Sequence, residues 1–122
     1  MKKLITLVVA FFLVKAHMNA ANYTVGNGGN YPNLQSAFAA INAGTITGNI
    51  ILQIISSTTE PSAVLLDGGV STSTYNSITI YPTTSGLIIN GNIQLNACDN
   101  VHFDGRANQS GNTKDLTIQG TN

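Results

Sequence analysis

The sequence predicts an all-β chain, a right-handed parallel β-helix (a solenoid of stacked coils) with a short capping α-helix at its N-terminal end. Three observations predict it. From Asn49 onward, short runs alternate apolar and polar residues. Those runs close on similar Asn- and Gly-rich turns, in a chain where charged residues are only 8%. One earlier segment, GNGGNYPNLQSAFAAINAG from Gly26 to Gly44, breaks the pattern with the spacing of a helix.

The 122 residues are enough for one domain with a modest core. Residues 1–21 have the layout of a secretory signal peptide. Lys2 and Lys3 precede an apolar run from Leu4 to Val14, and small residues follow at Ala16, Ala20 and Ala21. The run is shorter than the roughly 20 apolar residues a membrane span needs. A buried first helix is the alternative. The expected location is therefore secreted, extracellular or at the cell surface, with no membrane span in the mature chain.

Residues 22–48 are expected to form an entry strand and the capping helix. Leu34, Ala37, Phe38 and Ile41 fall at i, i+3, i+4 and i+7, one apolar stripe of a helix. Pro32 suits the first turn, Asn33 suits the N-cap, and Gly44 can end the helix with a positive φ. A helix this short is marginal alone and must bury its stripe. An open solenoid end, with its core side chains and unpaired edges, is a natural place to do so.

Residues 49–122 are expected to form the coils. SITIYP sets Ile78 and Ile80 against Thr79 and Tyr81. NIQLN sets Ile93 and Leu95 against Gln94. VHFDG sets Val101 and Phe103 against His102 and Asp104. LTIQG sets Leu116 and Ile118 against Thr117 and Gln119. A period of two marks half-buried strands. IILQIIS is apolar on both faces apart from Gln53, which suggests deeper burial. The 24 residues from Ile78 to His102 suit one turn of a solenoid. An antiparallel sandwich would share the alternation and is the rival fold.

Without the signal segment, Arg106 and Lys114 stand against Glu60, Asp67, Asp99, Asp104 and Asp115, a net charge of −3. No basic stripe is present to neutralise phosphates, which argues against nucleic acid as a partner. The one cysteine of the chain, Cys98, has no His or second Cys beside it and is expected to be a small, buried or half-buried packing residue. The four tyrosines of the mature chain show no interval that would gather them as one stacking platform.

YTVGNGGNYPNLQSAFAAIN resembles the opening of pectin-lyase-like β-helix proteins, and of pectinesterases in particular. VHFDGRANQSGNTKDLTIQGT resembles exported surface proteins of Bacteroidetes-type bacteria, which carry many such coils. The resemblance implies a β-helix module that serves as a scaffold, an adhesin-like surface or a glycan-binding surface, with a polysaccharide or cell-surface glycan as partner. Its catalytic residues do not carry over. Pectinesterases use paired Asp, Gln and Arg, and pectate lyases use Ca²⁺-binding carboxylates with an Arg base. Here the five carboxylates lie in turns without ligand spacing. No catalytic residue, metal site or cofactor is therefore expected. A second reading makes the chain the first segment of a carbohydrate-active enzyme whose catalytic coils lie beyond Asn122.

One constellation stands out. His102, Asp104 and Arg106 alternate, so an extended strand would project all three from one face at intervals of about 6.5–7 Å. Together they could hold a sugar acid, with Arg106 pairing its carboxylate. The alternative is that Asp104-Gly105 begins a turn and leaves all three solvated. The sequence stops at QGTN just after a strand signal, which suggests an N-terminal fragment. If Asn122 is the true end, the exposed edge suggests edge-to-edge self-association.

Overall fold

A computed structural model of the chain describes residues 19–121. The signal-peptide expectation falls mainly on residues 1–18, outside the described residues. What forms is mostly β, with parallel sheets and one helix. In chain order the elements are β1 (Ala21–Val25), α1 (Leu34–Asn42), β2 (Gly48–Ile54), β3 (Thr58–Thr59), β4 (Val64–Asp67), β5 (Tyr75–Pro82), β6 (Leu87–Asn90), β7 (Ile93–Asn96), β8 (Val101–Phe103) and β9 (Leu116–Gln119).

β1 pairs with β2 across α1, and from β2 onward strands that are adjacent in sequence do not pair. The first sheet runs β1-β2-β5-β8, the second β3-β6-β9 and the third β4-β7. From β2 onward the chain visits the sheets in one cyclic order, adding a strand to each in turn. Every strand pair is parallel, which is not the pairing of an antiparallel sandwich.

The register lines up the apolar residues. Ile50 pairs with Ile78 and Ile78 with Val101; Leu52 pairs with Ile80 and Ile80 with Phe103. In the second sheet Ile89 pairs with Ile118, and in the third Leu66 pairs with Leu95. The expected step from Ile78 to His102 is one residue too long, because His102 pairs with Thr79. This one-place shift matters. A 24-residue step would set apolar Ile78 beside polar His102, and the period of two forbids that match on a buried face.

The core consists of these ladders together with α1. Val25, Ile50, Leu52, Ile54, Val64, Leu66, Ile78, Ile80 and Ile89 are all buried. IILQIIS buries one face fully, at Ile50, Leu52 and Ile54, while Ile51 and Gln53 are half-buried.

Helix α1 forms where the stripe places it, with Leu34, Ala37, Phe38 and Ile41 all inaccessible to solvent. Asn33 is the N-cap, and its side chain accepts from the Ser36 N–H at 2.9 Å. At the other end Gly44 has φ +73°, its N–H reaches the Ile41 carbonyl, and the Thr45 N–H reaches that of Ala40. That pair of bonds is a Schellman motif.

Two side chains lock α1 onto the sheets. Glu60 is buried and accepts from the Leu34 and Gln35 N–H groups at 3.1 and 2.9 Å, and from the Thr58 hydroxyl at 2.7 Å. It fills the first-turn donors that a helix leaves open, from the position just after β3, 25 residues further along the chain. In return, the Asn42 amide donates to the Leu65 carbonyl and accepts from the Asp67 N–H, both at 2.9 Å. A side-chain amide thus pairs with the edge of β4 as a neighbouring strand would. Gly91 makes room for this arrangement, since a Cβ there would stand 2.6 Å from Glu60 Cβ and Cγ.

Candidate functional site

The alternation of His102, Asp104 and Arg106 implies one strand with three side chains on one face. The structure corrects this. β8 ends at Phe103, and Asp104-Gly105 turns the chain into a long loop that reaches β9 at Leu116. His102 is exposed on the strand, Asp104 is buried at 6% exposure, and Arg106 folds back from the turn. The turn alternative is therefore right about Asp104-Gly105, but Asp104 is not solvated.

Arg106 and Asp104 grip each other. The guanidinium donates from Nε to Oδ1 at 2.9 Å and from Nη2 to Oδ2 at 2.7 Å, and the Arg106 backbone N–H adds a third bond to Oδ1 at 3.0 Å. This bidentate pair is the one ion pair among the described residues. Hydrogen bonds from the Arg106 side chain, then from its backbone, hold the Asp104 carboxyl down at about 2. The role expected for Arg106, pairing a sugar carboxylate, is thus already taken by Asp104 on two of its donor atoms.

A second carboxylate shapes the loop from its far end. Asp115 is buried, and its Oδ2 accepts from the Ala107 N–H and the Thr113 hydroxyl, both at 2.8 Å. The Asp115 and Leu116 N–H groups both reach the Gly105 carbonyl. Asp115 therefore ties the two ends of the loop together, while Asp104 holds Arg106 within the turn at its start. The side chain of Asn108 ties its middle to the Thr83 carbonyl at 3.0 Å.

The loop borders an open, shallow cleft of about 350 Å³ at the C-terminal end of β8. His102, Asp104, Arg106, Asn112, Thr113 and Lys114 line it. The trio therefore does come together, but around a cleft instead of along a strand face. Lys114, which the sequence pattern did not mark, joins them. It is exposed and enters no ion pair among the described residues. With the Arg106 charge matched by Asp104, the Lys114 ammonium is the uncompensated cation beside the cleft. Such a site suits a partner with hydroxyls and an anionic group.

Other expected features fall as follows. Cys98 is half-buried against the core, with Sγ within 3.2 Å of the Leu66 carbonyl. Two of the tyrosines do meet, contrary to their spacing in sequence. The glycine-rich turn folds Tyr31 back onto Tyr23 at 5.9 Å between ring centroids. Burial, and Tyr23 beside it, raise the Tyr31 phenol. The helix residues Leu34, Ala37, Phe38 and Ile41 serve the core and do not approach this cleft. Among the described residues no group of three or more His, Cys, Asp or Glu could hold a metal ion, and no helix is long and apolar enough to cross a membrane. Comparisons with protein families, with curated proteins and with solved structures find no match to this chain.

Proposed function

We propose that the chain is a secreted or cell-surface module of the right-handed parallel β-helix type, a scaffold that presents a glycan-binding cleft where β8 meets the following loop. The cyclic order in which the strands join three parallel sheets supports the β-helix reading, as does a helix packed over the first rungs. The observation that carries the functional reading is the meeting of exposed His102, Arg106 and Lys114 around one cleft. Its preferred partner is an acidic polysaccharide, drawn by the unmatched Lys114 ammonium and oriented by the outer donors of Arg106. Asp104 and Asp115 are both engaged in bonds that shape the loop, so the binding reading is preferred to one in which they act as an acid and base pair.

The test is affinity electrophoresis of the protein through gels containing polygalacturonate, at low and high salt. Retardation should appear at low salt and fall in Lys114→Gln and His102→Ala, whose exposed side chains leave the fold intact. Asp104→Ala should also lose binding, by releasing Arg106 from its fixed place beside the cleft. Equal mobility with and without the polymer would reject the cleft as an acidic-glycan site.

A further inference from the structure

A second cleft lies at the opposite end of β8. It measures about 450 Å³ and is lined by Ser73, Tyr75, Asn76, Asp99 and Asn100 among others. Its origin is a mismatch in linker length. Residues 68–74 join β4 to β5, whereas only residues 97–100 join β7 to β8. The short linker achieves its turn with Ala97 at φ +47° and Asn100 at φ +55°. The longer loop overhangs it and leaves the gap.

The chemistry of this cleft differs from that of the first. It carries no cation, and Asp99 gives it an exposed carboxylate. Asn76 and Asn100 are exposed amides. The Ser73 hydroxyl oxygen is inaccessible to solvent and has no hydrogen-bond partner, an unfavourable state for a buried polar group. Burial, with Cys98 beside it, pushes the Tyr75 phenol up to about 12, so this group stays a neutral donor and acceptor. Amides, hydroxyls and one carboxylate suit an uncharged sugar and disfavour an acidic one.

The two clefts are the two ends of the same strand. Asn100 borders one and Asp104 the other, with exposed His102 between them. The three residues of β8 separate these borders, four residue-to-residue steps or about 13 Å at the usual strand rise. We propose that they form one track along β8 for an oligosaccharide of mixed character, with a uronic acid at the Arg106–Lys114 end and an uncharged sugar at the Ser73–Asn100 end. This proposal rests on the glycan-binding reading of the first cleft and adds to it a length, a direction and a charge pattern.

The experiment is calorimetric titration with three probes. These are glucuronic acid, a hyaluronan hexasaccharide in which acidic and uncharged sugars alternate, and hexagalacturonate, which is acidic throughout. The alternating hexamer should bind more tightly than either the monomer or the all-acid hexamer, roughly threefold or more, the size of one exposed charge contact. Asp99→Asn should erase the preference between the two hexamers, and Asn76→Ala should weaken the alternating hexamer without changing the monomer. Lys114→Gln should weaken all three. If both hexamers and the monomer bind alike, with Asp99 and Asn76 irrelevant but Lys114 still required, the track is overturned and the single cleft stands. If none of the probes binds, both are overturned.

Discussion

Leu66 and Leu95 are partners on neighbouring rungs of one ladder, yet Leu66 is fully buried and Leu95 is 49% exposed. Ile89 and Ile118 repeat the contrast in the second sheet, at 0% and 46%. The four residues sit in the same apolar–x–apolar pattern. What differs is the neighbouring element. α1 packs over β4 on the side of Leu66, with Asn42 pairing the strand edge. Beyond β7 and β9 no further strand stands among the described residues. In this architecture the local pattern decides which way a side chain points, and the next rung decides whether it is buried.

The largest expected effect is at the covered rungs. Leu66→Ala should cost about 2–5 kcal/mol in chemical denaturation, and Ile89→Ala a similar amount, through lost burial and the cavities left behind. Glu60→Ala comes next, at about 2 kcal/mol or more, because it strands two first-turn N–H groups of α1 and the Thr58 hydroxyl. Circular dichroism should then show helix signal lost before strand signal. Gly91→Ala should cost about 1–3 kcal/mol by pushing Glu60 away from the helix, and little further when made in the Glu60→Ala background. Additive costs in that double variant would mean that Gly91 serves some other purpose. At the open rungs, Leu95→Ala and Ile118→Ala should each cost about 1 kcal/mol or less. Equal costs at Leu66 and Leu95 would break the comparison outright.

The loop beside the cleft has its own signature in pH. The Asp104 carboxyl is depressed in the folded protein to about 2 from an ordinary 3.8, so its contribution is fully present above pH 4 and is lost as pH falls toward 2. Thermal melts of the parent and of Asp104→Asn should therefore differ at neutral pH and converge below pH 2. A gap that stays constant across that range would mean that the ionised pair contributes nothing to stability.

Much of the architecture was legible because it depends on neighbours in sequence. The stripe Leu34, Ala37, Phe38 and Ile41, the Asn33 cap and the Gly44 terminator all lie within one short segment, and each performs the role its position suggests. The inward and outward alternation was legible for the same reason in most strands, but Tyr81, set on the solvent face of SITIYP, is buried beside Gln53, whose amide donates to its hydroxyl. Register was not, because the one-place difference between Val101 and His102 as the partner of Ile78 depends on how a four-residue turn closes. Glu60 was invisible as a cap, since nothing in TTEPS shows that a helix N-terminus lies against it. The cleft was half legible. The trio attracted notice through its spacing, but its assembly depends on Asp115 and the 105–115 loop, and so does the arrival of Lys114. Lys114 follows a turn-rich run, SGNTK, whose path no local rule dictates.

The most direct test of the layered parallel arrangement is a methyl-to-methyl nuclear Overhauser spectrum of isotopically labelled protein. The expected result is a chain of contacts from Ile50 to Ile78 to Val101, together with Leu66 to Leu95 and Ile89 to Ile118, each linking residues on successive rungs. Contacts linking the ends of sequence-adjacent strands in antiparallel order, in place of these ladders, would contradict the fold and the clefts built on it.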